Sequence, residues 1–401
     1  MKKIFLFAFG LCALTMHAQV ADSTKNVYAN SVEKMLNNKP GLGIGGYGEV
    51  HYNQPVYKST KDIGTLDVHR LVMFLGYNFS NKTQFVSEIE FEYAKEFWVE
   101  QMFLQHKINH YINFRAGLLL IPMGIINEYH EPTTFNGVER PIIDNKIAPS
   151  TWREIGFGLS GNIWQIKTKY QLYVVNGFNG YDANGGLFSG SKALREGRQK
   201  GSKAYISSPN FTGKLEYYGV KNLNIGVSGY LGKSQSRLYN NLHKDSTNLI
   251  QRADSSIVNI SMIGADIRYN LKGIKMTGQL YYTSLGNTEQ YNIFTSKDGK
   301  YNDLGSSMIG YYAEIGYNIF QPLQNIKSEL MPFVRYEVFD THHTVVDIIT
   351  KNTKYYNTII TTGLTYTLIK GAVLKADIQF NKSKADEKYS KVLNFGFGIM
   401  F

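Results

Sequence analysis

Apolar and polar residues alternate along most of this chain with a period of two. The carboxyl-terminal stretch shows it most plainly. Leu393, Phe395, Phe397, Ile399 and Phe401 fall on one face, and Asn394, Gly396, Gly398 and Met400 on the other. A period of two with unlike faces is the signature of a half-buried strand. A strand apolar on one side and small or polar on the other, closing on an aromatic terminus, reads as the last strand of an outer-membrane β-barrel. Its apolar face meets lipid and its small face meets a lumen.

The same alternation predicts sixteen strands, over 42–53, 67–78, 83–93, 97–107, 112–120, 153–161, 165–175, 211–218, 222–230, 258–269, 274–284, 307–319, 328–338, 357–368, 373–381 and 392–401. Most are about 9–12 residues long, enough to cross a bilayer at a tilt. The connections alternate too. Tight turns such as Ser80-Asn81-Lys82, Asn109-His110 and Gly219-Val220-Lys221 are interleaved with long segments at 54–66, 121–152, 176–210, 231–257, 285–306 and 339–356; Ala94-Lys95-Glu96 is the one short connection on the long side. Short turns at one end and long loops at the other match the periplasmic and extracellular ends of a barrel. The expected fold is therefore all-β: a closed antiparallel transmembrane barrel of about sixteen strands, spanning 42–401.

Alternation also assigns the charged residues to faces. A charge on the lipid side costs roughly 2–4 kcal/mol at the bilayer midplane, so the inward register wins. Glu88, Glu90 and Glu92 point inward in the third strand, Arg115 in the fifth, and Lys167, Lys169 and Gln171 in the seventh. Glu49, Arg70, Lys214, Glu216, Asp266, Arg268, Glu314, Arg335, Glu337, Lys375 and Asp377 follow by the same rule. The fourth strand, 97–107, fits neither register.

Composition adds three constraints. Met1-Lys2-Lys3, an apolar run from Ile4 to about Met16 and the small residue Ala18 predict a secretory signal peptide over 1–19. The only cysteine, Cys12, lies in it, so disulfides, thiolate metal sites and cysteine nucleophiles are excluded from the mature chain. The net charge is +11, with two of the positive charges in the leader. In an exported chain that balance points to anionic lipid or anionic solutes and away from nucleic acid. A polar segment, 20–41, precedes the first strand as a periplasmic helix or arm. Beyond residue 20 no apolar run reaches helical membrane-span length.

Two loops concentrate candidate chemistry. The segment 121–152 carries four of the nine prolines, with Glu128, His130, Glu131, Glu139, Arg140 and Lys146, and leads into Arg153. Loops this long usually have a function, and folding into the lumen as a constriction would bring these residues near Arg70, Arg115 and the third-strand glutamates. The other is the fourth external segment, where 192–203 holds Lys192, Arg195, Arg198, Lys200 and Lys203. It reads either as a solvated loop that meets lipopolysaccharide phosphates or as a funnel that concentrates anions.

The stretches 46–52 (GYGEVHY), 67–77 (DVHRLVMFLGY), 85–92 (FVSEIEFE), 115–128 (RAGLLLIPMGIINE), 130–132 (HEP) and 137–141 (GVERP) resemble the porin family that includes the phosphate-selective porins O and P. The resemblance covers about 45–160. It implies a sixteen-stranded barrel in the outer membrane of a Gram-negative bacterium, usually a homotrimer, passing small hydrophilic solutes, anions such as phosphate among them. It also implies Arg70, Arg115, Arg140 and Arg153 as candidates for a selectivity path. The nearby Glu88, Glu90 and Glu92 depart from that pattern.

Other chemistries find less support. His51, His69 and His130 with Glu49, Glu128 and Glu131 could meet as metal ligands, but hydrogen-bonded lumen histidines are the simpler reading, and neither a metal nor a cofactor is expected. No local nucleophile signature stands out, and the glycines of 41–48 lie on a strand with no helix to cradle phosphate. The expected function is passive diffusion, with no catalytic residues. The alternative is a surface interaction protein, an adhesin, anchored by the barrel.

Overall fold

The computed structural model describes residues 40–56, 61–323 and 325–401. The expected signal peptide, and the segment 20–41 up to residue 39, lie outside the described residues. Sixteen strands close into one antiparallel barrel: β1 (Gly41–Val56), β2 (Thr65–Asn78), β3 (Thr83–Glu92), β4 (Glu96–Lys107), β5 (Asn113–Leu120), β6 (Arg153–Ile163), β7 (Thr168–Val175), β10 (Asn210–Tyr217), β11 (Leu223–Lys233), β13 (Asn259–Leu271), β14 (Ile274–Gly286), β15 (Ser307–Tyr317), β16 (Glu329–Thr344), β17 (Tyr356–Ile369), β18 (Ala372–Ser383) and β19 (Ser390–Met400). Each pairs with its neighbour in sequence, and β19 closes on β1, with Tyr47 opposite Met400 and Val56 opposite Lys391. Closure leaves no unpaired edge, which a lipid environment requires.

The two faces separate as the alternation predicts. Leu71, Met73, Ile263, Ile267, Ile315, Leu374 and Phe397 stand exposed on the outside, while Arg70, Lys214, Glu216, Asp266, Arg335, Glu337 and Asp377 are buried inside. Among the described residues no helix is long and apolar enough to cross a membrane. An apolar outer belt on a closed barrel with short turns and long loops makes this an outer-membrane barrel.

Two strands depart from a plain ladder. In β2 the register slips so that Glu49 opposes Arg70 and Val50 opposes Val68, leaving His69 as the extra residue of a bulge. In β4 the slip leaves Glu100 unpaired, with Glu88 opposite Gln101 and Ile89 opposite Val99. Glu100 and Gln101 are consequently both buried, which explains why 97–107 fits neither register. Bulges of this kind re-aim side chains beside functional sites. Lys167, expected inward on a strand, instead occupies a left-handed position (φ 51°) after the short 3-10 turn Trp164–Ile166.

The extracellular half of the lumen holds a packed apolar core. Trp152 stacks on Phe178 at 4.6 Å and meets Tyr230 at 4.7 Å, and Phe188 lies 5.8 Å from Tyr291. Ile143, Ile147, Leu194 and Leu304 join the same cluster. Burial of each such side chain is worth about 1.5–3 kcal/mol. Above it, β8 (Asn179–Asp182), β9 (Gly185–Gly186) and β12 (Gln235–Ser236) form a small three-stranded sheet, flanked by the helices Thr247–Ser255 and Thr288–Phe294. An evenly water-filled lumen is thus not what the chain adopts. Its long loops fold inward and cover one another.

Candidate functional site

The segment 121–152 leaves β5, crosses the lumen and returns to β6. Its base is tied by one side chain. Asn127 Nδ2 donates to the carbonyls of Ile121 (2.7 Å) and Trp152 (2.8 Å), and its Oδ1 accepts from the Trp152 amide (2.8 Å). Gly124, at φ +70°, lies against the Tyr281 hydroxyl, where a Cβ would collide. Gly398 on the opposite wall leaves the same kind of space for Pro132. These close approaches let the loop run flush with the wall.

Charged groups of the wall then grip the loop backbone. The Ile142 amide donates to Glu337 Oε2 (2.6 Å) and the Val138 amide to Asp377 Oδ2 (2.7 Å). Arg335 donates to the carbonyls of Asn136 (3.2 Å) and Glu139 (3.1 Å), and pairs with Glu337 at 2.9 Å and Glu314 at 3.2 Å. Lys214 donates to the Gly124 carbonyl (2.6 Å) and pairs with Glu128 at 3.0 Å; Gln171 also donates to Glu128. Tyr129, beside Glu128, carries the Arg268 guanidinium over its ring at 4.7 Å and accepts from Lys169 at 3.2 Å. Groups on β7, β10, β13, β15, β16 and β18 therefore hold the loop, in a buried setting where charge-assisted bonds are strong.

The remaining predicted residues occupy three places. Arg70 is buried between Glu49 (2.8 Å) and Glu90 (3.3 Å), with Arg140 at 3.9 Å from Glu49. Glu139 accepts from His51 (3.2 Å) and Asn53 (3.0 Å), and these neighbours hold its carboxyl at about 2 against the opposing effect of burial. His51 stacks on His69 at 4.2 Å, and a ring nitrogen of each lies with a Glu139 oxygen within 4.8 Å of one another. His130 joins neither of them. Its Nε2 lies 3.3 Å from Glu88 and 3.2 Å from Glu100. Arg115 stands apart, donating to Gln105 (2.7 Å) and the Tyr173 hydroxyl (3.2 Å). Glu131, within the loop, is buried, while Glu92 is half-buried.

The basic loop is divided. Lys192 and Lys203 are exposed, but Arg195, Arg198 and Lys200 turn inward and are half-buried. Arg198 donates to the Ser150 carbonyl and the Thr151 hydroxyl (3.0 Å), Arg195 to the Ser150 hydroxyl (3.4 Å), and Lys200 lies 4.0 Å over the Trp98 ring. Burial and the nearby guanidiniums of Arg195 and Arg153 push Arg198 down to about 9. Burial lowers Arg195 as well, with Glu92 and Glu196 opposing the shift and Arg140 and Arg70 adding to it. Lys146 reaches the Ser191 carbonyl at 3.4 Å. The cations at this mouth are held by neutral oxygens and an aromatic face; of the deeper ones, Arg70, Lys214, Arg268 and Arg335 are paired with carboxylates, while Lys375 lies 3.7 Å over the Phe135 ring. On the periplasmic side the loop roofs a cavity of about 280 Å³ lined by Tyr129, Phe135, Asn136, Arg268, Glu314 and Arg335.

Sequence reading missed Glu100, whose inward aim depends on the bulge. It also missed Asp144, which accepts from the buried Tyr281 hydroxyl. Nothing local marks either one; each acquires its setting from a distant strand.

No family model matches the chain. An uncharacterized protein of Aquifex aeolicus is 30% identical over 383 residues, which is 92% of this chain and 82% of that protein. Among solved structures, an anion-selective porin from Comamonas acidovorans superposes with a TM-score of 0.55 at 11% identity, over 90% of this chain and 99% of that one. Salmonella typhi OmpF, in complex with daunomycin, gives 0.56 at 10% identity, over 90% and 97%. At such identities the likeness is one of fold, and it is the sixteen-stranded porin barrel.

Proposed function

We propose that this chain, which belongs to the same family as the Aquifex aeolicus protein, is an outer-membrane porin for passive diffusion of small hydrophilic solutes, with a preference for anions such as phosphate. The observation that carries the reading is the cluster of cations held by neutral groups at the extracellular mouth. Deep cations such as Arg70, Lys214 and Arg335 are paired with carboxylates. Arg195, Arg198 and Lys200, at the extracellular mouth, are held by carbonyls, hydroxyls and a ring. Clustered cations create a positive potential, which raises the local concentration of anions. Selectivity of this kind comes from the charges lining the path and needs no chemistry. The segment 121–152 acts as the constriction, and passage requires its rearrangement or a route along its edge. Assembly as a homotrimer in contact with lipopolysaccharide belongs to the same proposal, on the resemblance of 45–160.

The test is a triple variant, Arg195→Gln, Arg198→Gln and Lys200→Gln, in planar bilayers. Its reversal potential under a KCl gradient should move toward cation preference relative to the unaltered chain. An unchanged potential would remove these residues from the selectivity path.

The adhesin reading is favoured by a separate observation, the packed apolar core and ordered cap over the lumen. It predicts a correctly folded barrel that does not conduct.

A further inference from the structure

Glu88 on β3, Glu100 on β4 and His130 on the crossing loop converge inside the wall, and all three are buried. His130 Nε2 stands 3.3 Å from Glu88 Oε1 and 3.2 Å from Glu100 Oε2, and the donor atoms of all three lie within 4.8 Å of one another. Donor atoms on a tetrahedral ion with bonds of about 2.0–2.1 Å are about 3.3–3.4 Å apart. Both imidazole–carboxylate separations match that edge length.

The surroundings are those of a built site. His130 Nδ1 lies 3.3 Å from the Asn127 carbonyl. An Nδ1–H donated there leaves the Nε2 lone pair facing the carboxylates, the usual arrangement of a ligating histidine; the tautomer is assigned from this geometry. Gln101 Nε2 donates to Glu88 Oε2 at 2.6 Å and fixes that carboxylate from behind. Glu100 faces inward only because the β4 bulge places two consecutive side chains, Glu100 and Gln101, in the lumen. Its side chain is fully buried, and neither oxygen has a hydrogen bond of good geometry; Oε2 faces His130 Nε2 at 3.2 Å. The guanidinium of Arg153 stops at 3.9 Å, and that of Arg70 is engaged by Glu49 and Glu90. Two buried carboxylates that share one imidazole are costly unless a further cation compensates them.

We propose that Glu88, Glu100 and His130 form a site for a divalent transition-metal ion of the zinc class, which pins the crossing loop to the barrel wall. One imidazole and two carboxylates suit such ions, and a fourth position is left for water. The site is assigned from ligand geometry and stands whether or not the barrel conducts. The competing occupant is a single proton on His130, which would bridge the two carboxylates with no metal.

The experiment uses the refolded, tag-free full-length barrel in detergent, stripped with chelator and titrated calorimetrically with zinc chloride. The expected result is one ion per chain. X-ray absorption of the loaded protein should report nitrogen and oxygen ligands without sulfur. His130→Ala and Glu100→Gln should each weaken binding roughly a hundredfold, and Gln101→Ala, which removes only the outer support, roughly tenfold. Heat-shifted migration on gels checks that each variant still folds as a barrel. Absence of saturable binding to the unaltered chain would overturn the proposal and leave the proton as the occupant. Binding that persists in His130→Ala, or that is lost in His51→Ala instead, would equally overturn the assignment.

Discussion

Arg335 shows how single residues hold the lumen closed. It is completely buried and divides its donors between two carboxylates and two loop carbonyls. Removing one partner of a buried pair leaves the other charges uncompensated, at about 3–5 kcal/mol. Arg335→Met should therefore undock the 137–142 stretch. Limited proteolysis should cut there in the variant and spare the unaltered chain. Asp144 adds a pH dependence to the same loop. Burial pushes its carboxyl up to about 7, against the lowering effect of the Tyr281 hydroxyl bond, with Glu337 and Asp266 raising it and Arg335 opposing them. A carboxyl whose folded value is raised stabilises docking fully below its unfolded value, near 4, and loses that contribution as pH rises through about 7. Amide exchange in 121–152 should accordingly be faster at pH 8 than at pH 5 after correction for intrinsic rates. Asp144→Asn should remove most of that difference, and an unchanged difference would assign it to other groups.

At the scale of elements, the strands were legible because one face of each must meet lipid. That demand imposes a local period of two, which sequence shows directly. It located all sixteen strands and the inward set that includes Arg70, Lys214 and Arg335. Bulges escaped it, since an extra residue such as Glu100 breaks the period without announcing where. The loops escaped for a different reason. Trp152, Phe178, Phe188 and Tyr291 come from separate connections and form one cluster only in three dimensions. The proline-rich composition of 121–152 marked that segment as special, but its individual partners, such as Asp377 for Val138, lie on distant strands. Asn127 is the element's own fastening, with three hydrogen bonds at its base. At about 1 kcal/mol each, their loss in Asn127→Ala should loosen both ends of the loop. Larger single-channel conductance, with unchanged barrel content by circular dichroism, is the expected outcome.

At the scale of the whole molecule, the barrel does two jobs that pull in opposite directions. Its outer belt fits the bilayer, and its inner wall of charged pairs holds a plug built from its own loops. The positive excess of the chain, +11 overall, is displayed in part at the mouth, where Lys192 and Lys203 meet solvent and Arg195, Arg198 and Lys200 line the way inward. Long-range attraction by such a cluster is screened over about 8–10 Å at ordinary salt. Anion preference should therefore fall as ionic strength rises, while the conformation of the buried loop stays unchanged. The most direct test of the central claim, a loop-narrowed channel with a cationic mouth, is the zero-current potential of the purified, refolded chain in a planar bilayer under a KCl gradient. The account predicts small ohmic conductance with chloride more permeant than potassium, reduced when phosphate is added. A correctly folded barrel that carries no current, or one that prefers potassium, would contradict it.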